Sequence, residues 1–310
     1  MTLLYRDPRF LDHETGSHPE RPLRLRTVES HLDRSWLAVQ CRQLTAGPCA
    51  RNCLARVHHP AYIDEIWAFA RSGGGYLDAD TVCGPSSYNV ALLAAGSVVD
   101  AVGRVLGGED QTALCLVRPP GHHALAGQAM GFCIFNNVAV GAAAAIAEFG
   151  LDRVLIVDFD VHHGNGTQAM FWEDPRVGFL SIHRWPFYPG TGSADERGGG
   201  DGWGTTVNLP IEAGTPRDEY MEVFTARLQS FADHIRPQLV LVSAGFDAHR
   251  SDPLGNLGLE AEDYATITDR IVEIAAVHAG GRIVSVLEGG YNPPALAQCV
   301  EEHLGRLIDS

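Results

Sequence analysis

The chain is short of positive charge: 23 Lys and Arg stand against 38 Asp and Glu in 310 residues, a formal net charge of −15. A nucleic-acid binder needs a basic footprint to displace counterions from phosphates, so this balance argues against that class of partner. The acidic surface serves solubility, or steers cationic substrates such as lysine side chains or polyamines toward a cleft. No apolar run is long enough to span a bilayer, and Met1–Asp12 lacks a signal-peptide core; a cytoplasmic protein without membrane attachment is expected. The seven cysteines are scattered, several inside apolar runs such as Leu114-Cys115-Leu116. An odd count without regular spacing argues against a disulfide framework and suits a reducing compartment. Cys49, Cys53, His58 and His59 fit no common zinc spacing. Linkers, low-complexity tracts and internal repeats are also missing, so residues 1–310 are expected to form one domain. The glycine run Gly198–Gly202 reads as a mobile loop, and without a Gly-Lys-Ser/Thr ending it is no phosphate loop. Self-association is left open.

What is present is a large apolar fraction, 45% of residues, arranged in alternating patterns. Short β-rich runs are expected as strands at Ala113–Val117, Val154–Asp160, Val177–Ile182, Leu239–Ser243 and Ile283–Leu287. Helical periodicity marks Val90–Leu106, Asn137–Phe149, Asp218–Ile235, Ala261–His278 and Pro294–Ile308. A core such as Leu239-Val240-Leu241-Val242 is apolar throughout, which indicates strands covered on both faces and hence a parallel α/β sheet between helices.

Polar residues come after these strands in a pattern that scatter does not explain. The segments are Pro119-Pro120-Gly121-His122-His123, then Asp158-Phe159-Asp160-Val161-His162-His163, then His183, Gly245-Phe246-Asp247 and Glu288-Gly289-Gly290-Tyr291. In open α/β sheets ligands bind outside the carboxyl ends of strands, so five distant segments deliver ionisable groups to one edge. Asp158, Asp160 and His162 alternate along an extended segment and are expected on one face. Asp160 and His162, completed by Asp247 from another strand, give two carboxylates, one imidazole and an open position. That is the donor set of a catalytic zinc, which ferrous iron also fits. A metal phosphoesterase would need a second ion about 3.5–4 Å away and a cationic clamp for phosphate. The strand ends offer little Lys or Arg for such a clamp. A non-catalytic acyl-lysine binding module would need neither His123 nor Tyr291.

Arg118-Pro-Pro-Gly-His-His-Ala124, Asp158-Phe-Asp-Val-His-His-Gly-Asn-Gly-Thr167, Tyr188-Pro-Gly-Thr-Gly192, Ser243-Ala-Gly-Phe-Asp247, Glu288-Gly-Gly-Tyr291 and the early His18-Pro-Glu-Arg-Pro22 resemble the histone deacetylase and acetylpolyamine amidohydrolase family, in that family's order. Asn165 and Phe246 resemble the class II and bacterial branches. The resemblance implies the arginase-deacetylase fold, a mostly parallel sheet of about eight strands flanked by helices on both faces. It implies a zinc-dependent deacetylase, with acetyl-lysine peptides or proteins, or acetylated small amines, as substrates. It assigns His122 to a hydrogen bond with Asp158 as an electrostatic element, His123 with Asn165 as base and then acid, and Tyr291 as oxyanion donor. It implies tunnel walls at Gly131, Phe132 and Tyr188, and a rim contact at Asp80 or Asp78. At Leu254, after Asp252-Pro253, polyamine-preferring relatives carry glutamate; leucine leans toward acyl-lysine. A structural potassium ion is implied at Asp158, Asp160, His162, Ser181 and Ile182, partly through backbone oxygens. Arg21 or Arg24 either lines an acetate exit or makes a surface ion pair.

Overall fold

Strands with apolar side chains on both faces have no face to offer solvent, and this chain places them at its centre. The computed structural model describes residues 1–310. In chain order the elements are β1 (Leu3–Tyr5), α1 (Leu23–Arg34), β2 (Arg42–Leu44), α2 (Arg51–Leu54), α3 (Pro60–Arg71), β3 (Gly75–Tyr76), β4 (Val82–Cys83), α4 (Ser87–Leu106) and β5 (Thr112–Cys115). Next come α5 (Asn137–Phe149), β6 (Val154–Asp158), α6 (Asn165–Met170), β7 (Val177–Arg184), β8 (Thr206–Ile211), α7 (Arg217–Ile235), β9 (Leu239–Ala244), α8 (Ala261–His278), β10 (Ile283–Leu287) and α9 (Pro293–Ile308).

Eight strands form one sheet in the order β2-β1-β5-β10-β9-β6-β7-β8, and every pairing in it is parallel. All residues of β5, β6, β9 and β10 are buried, so helices cover both faces, as the unbroken apolar runs require. A cluster of 70 buried apolar residues runs from Leu3 to Leu307; one core of that extent makes this a single α/β domain. β3 and β4 form a separate antiparallel hairpin.

Helix ends obey local chemistry. Asn136 accepts the Ala139 N–H to start α5, and Gly150 closes it in the left-handed region; Glu260 and Asp263 form a reciprocal box at α8.

Three expectations need correction. β6 stops at Asp158, two residues earlier than its apolar run suggested. His183 lies within β7 rather than after it. The Gly198–Gly202 run packs on Trp172, whose carbonyl accepts the Gly199 N–H at 2.8 Å, and it contains a short 3-10 turn. In addition, α4 is long and apolar enough by length and composition to cross a membrane, although 61% of its apolar window is buried inside the protein.

Candidate active site

β5, β10, β9 and β6 are neighbours in the sheet, and the four segments that leave their carboxyl ends meet. Alternation along a strand does not position Asp160 and His162, because the strand has ended. Side chains fold the loop instead. Asp158 Oδ1 accepts the Asp160 N–H at 3.1 Å, and Asp160 Oδ1 accepts the His162 N–H at 2.9 Å, an Asx-type use of carboxylates to turn the backbone. Asp247 Oδ1 accepts the Val161 N–H at 2.9 Å, tying the β9 end to this loop. One ligand atom from each of Asp160, His162 and Asp247 then lies within 4.8 Å of the others. His162 Nδ1 is 3.0 Å from Asp160 Oδ1 and 3.1 Å from Asp247 Oδ2.

The hydrogen bond of that imidazole goes to Asp160, and Asp247 Oδ2 is buried without a hydrogen-bond partner. A buried carboxylate oxygen lacking a donor is costly, and a cation shared with Asp160 and His162 removes the cost. Two carboxylates, one imidazole and room for a further ligand fit zinc, and ferrous iron as well. Gly289 closes the floor: its N–H donates to Asp160 Oδ2 at 2.9 Å, and a Cβ there would collide with both Asp160 and Asp247. Cys49, Cys53, His58 and His59 form no second cluster of this kind; His58 Nε2 instead accepts the Asn136 N–H at 2.9 Å.

The two adjacent histidines stand beside the triad in different environments. His122 Nδ1 bonds Asp158 Oδ2 at 2.9 Å, and its Nε2 is 3.9 Å from Asp160 Oδ1. Burial alone would lower its pKa, but Asp158 and Asp160 outweigh burial and hold it up at about 10. His123 Nδ1 meets Asn165 Oδ1 at 2.8 Å. Burial, then the neighbouring His122 and His162, hold His123 well below the ordinary histidine range. The two rings, with centroids 4.0 Å apart, are thus pushed in opposite directions, His122 toward holding a proton and His123 toward releasing it.

Aromatic side chains line the approach. Gly131 adopts φ 56° and Phe132 φ 70°; a Cβ at Gly131 would strike the His123 ring, so only glycine passes there. Phe132 is half-buried rather than core. Its N–H donates to Thr81 Oγ1 at 3.1 Å, and its ring meets Tyr291 edge-on at 5.5 Å and His18 at 4.5 Å. Tyr188 is 39% exposed and stands edge-on to His123 at 5.2 Å. Phe187, which carries no motif that would mark it in the sequence, stacks on His162 at 5.2 Å. Burial raises the Tyr291 phenol well above its ordinary pKa, against the opposing charge of Arg24, so it keeps its proton. Asp80 is half-buried on the β3–β4 connection; burial, then Asp78, raises its pKa, while His18 lowers it. Leu254 sits in a turn made by Asp252, whose Oδ1 accepts its N–H at 2.9 Å.

Asp158 and Ser181 face each other in register across β6 and β7, with Ile182 buried beside them; an oxygen-rich group of this kind suits a hard monovalent cation. Ser181 Oγ also meets His183 Nδ1 at 2.9 Å. Arg24 is fully buried rather than at the surface. It bonds Glu20 and the carbonyls of Glu288 and Gly290, and lies 4.9 Å from the centre of the Tyr291 ring. The sequence placed Glu288 at the sheet edge, Asp252 before Leu254, and Arg24 either at an acetate exit or in a surface ion pair, but not the partners that bury all three.

Known proteins resemble this chain in sequence and in fold. The histone deacetylase-like amidohydrolase of Pseudomonas aeruginosa is 40% identical over 285 residues, spanning 92% of this chain and 75% of that protein. The human polyamine deacetylase HDAC10 is 41% identical over 294 residues, 91% of this chain but 43% of that protein. The crystal structure of the HDA15 HD domain superposes with a TM-score of 0.94 at 36% identity, covering 99% of this chain and 90% of that one, and so identifies the arginase-deacetylase fold. With the histone deacetylase domain matching residues 18–307, the chain belongs to the histone deacetylase family.

Proposed function

We propose that the protein is a zinc-dependent amidohydrolase that removes acetyl groups from amines, acetyl-lysine side chains foremost. The observation that carries this reading is the unpartnered Asp247 Oδ2 within the Asp160, His162 and Asp247 group, with one histidine bonded to a carboxylate and the next to an amide beside it. A zinc ion held by those three, or ferrous iron in its place, would supply Lewis-acid activation of the acetyl carbonyl and of the attacking water. Asn165 Oδ1 accepts from His123 Nδ1, which leaves Nε2 of that neutral ring free to take a proton from water and return it to the departing amine. His122, kept charged by Asp158, contributes a fixed positive field. The Tyr291 hydroxyl donates to the oxygen on which negative charge develops. Phe132 and Tyr188 flank the aliphatic stem of the substrate beside Gly131; Asp80 receives its backbone N–H or amine at the rim, and Leu254 presents a neutral neighbour. Potassium, held by Asp158, Asp160, His162, Ser181 and Ile182, would orient the zinc ligands from beneath.

Acetylated polyamines are the second substrate reading, supported by the human relative named a polyamine deacetylase and by Asp78 and Asp80 at the rim. Seven free, buried cysteines support a reducing, cytoplasmic setting. The test is turnover of a fluorogenic acetyl-lysine peptide against acetylated putrescine, cadaverine and spermidine, with metal content by elemental analysis. One equivalent of metal, activity lost on chelation and restored by zinc, and preference for the peptide are expected. Full turnover by metal-free protein would end the proposal; a preference for acetylated polyamines would move it to the second reading.

A further inference from the structure

Glu288 lies just past the end of β10 and has no exposed surface. Its Oε2 accepts the N–H groups of Gly121 at 2.6 Å and His122 at 3.2 Å, while Oε1 accepts the Ser243 hydroxyl at 3.1 Å. Another buried carboxylate near Asp158 and Asp160 is electrostatically unfavourable, so its presence calls for a use. The stretch Pro119–Ala124 lies between β5 and α5 without helix or strand of its own, and no ladder holds its amides. The His122 carbonyl accepts the N–H groups of Gly166 at 3.1 Å and Thr167 at 3.2 Å, and its ring is tied to Asp158. The Ala124 N–H closes the turn on the Gly121 carbonyl at 3.0 Å and Asn137 Nδ2 donates to the Pro119 carbonyl at 3.1 Å, while Glu288 is what holds the amides of Gly121 and His122 themselves. The same strand end sends the Gly289 N–H to Asp160 and carries Tyr291.

We propose that Glu288 is a positioning residue for the His122–His123 pair, its carboxylate anchoring the Gly121–His122 turn to the strand end that carries Tyr291. This rests on the deacetylase reading of the site, in which proton transfer and oxyanion donation must act on one carbonyl. Displacing a reacting group by about 1 Å costs roughly 10²-fold in rate, whereas substrate contacts at the tunnel wall are untouched by this carboxylate.

Three variants test it: Glu288→Ala, Glu288→Gln and Glu288→Asp. In Glu288→Ala, kcat is expected to fall by roughly 10²-fold with KM within about twofold of the parent, at unchanged metal content. Deuterium exchange of the peptide covering residues 119–124 is expected to quicken by about tenfold or more. Glutamine keeps an oxygen for both amides and should restore at least about a third of kcat and the slow exchange. A kcat for Glu288→Ala equal to the parent's, unchanged exchange at 119–124, or Glu288→Gln as slow as Glu288→Ala would each overturn the proposal. If the alanine variant does not fold, Glu288→Asp, which withdraws the carboxylate by one methylene, takes its place with the same expected loss and the same refuting results. Exchange needs no turnover, so it decides the positioning role even if the parent protein hydrolyses none of the acetylated amines.

Discussion

Tyr291 illustrates how much one hydroxyl carries. Its ring is clamped between Phe132 and Arg24, and its backbone N–H is held by Asp252 Oδ2 at 2.6 Å, so removing the oxygen leaves ring and chain in place. Tyr291→Phe should therefore bind metal normally and melt near the parent temperature, while losing about 10²–10³ in turnover. Retention of full rate would show that the developing oxyanion is stabilised elsewhere. Asp160→Ala acts differently: it removes one member of the candidate metal group, releases the Gly289 and His162 N–H groups, and should lose metal and activity together, as elemental analysis alongside the peptide assay would show.

At the scale of elements, function sits on the loops that leave the strands, and this decides how much the sequence could reveal. β6, β9 and β10 were legible because their runs are apolar on both faces, and α5, α8 and α9 because their apolar periodicity is helical, with caps at Asn136, Glu260 and Asn292 seen in the structure. β1, β2 and β8 were not identified: the first two are three residues long, and β8 at the sheet edge mixes Thr206, Asn208 and Pro210 into its run, with Val207 and Pro210 only half-buried. The Asp160, His162 and Asp247 group was readable by residue type but not by geometry, since carboxylate-made turns rather than strand alternation aim Asp160 and His162. The contacts of Asp252, noted in the sequence only as the residue before Pro253, were unread for the same reason. Its Oδ1 accepts the Leu254 and Gly255 N–H groups at 2.9 and 3.0 Å and its Oδ2 accepts that of Tyr291, coupling the Leu254 turn to the β10 end. Asp252→Ala would strand buried donors at roughly 1–3 kcal/mol each. It should lower the melting temperature, reduce kcat and raise KM together, because Tyr291 and Leu254 loosen at once. A change in KM alone would uncouple the two elements.

Taken whole, the molecule contains no lysine: all 23 basic side chains are arginines. It offers no acyl-lysine of its own, and its surface charge cannot be altered by lysine acetylation. Its interior does respond to protons. His303 is fully buried, and because Thr268 donates its hydroxyl to the Tyr264 carbonyl, Thr268 accepts from His303 Nδ1 at 2.6 Å; Ser285 then donates to Nε2 at 2.8 Å. Both nitrogens are committed in the neutral form, and burial pushes the pKa down to about 3. The unfolded chain, with histidine near about 6.5, binds the proton first, so stability is complete above that value and is lost as pH falls toward the folded pKa. By pH 5 the loss from this one residue is on the order of 2 kcal/mol. Urea unfolding at pH 7 and pH 5 should show it, and His303→Gln, which can donate to Thr268 and accept from Ser285 without titrating, should show a smaller drop between the two. Equal drops in parent and variant would place the acid sensitivity in other buried groups, among them His58, which burial likewise lowers to about 4.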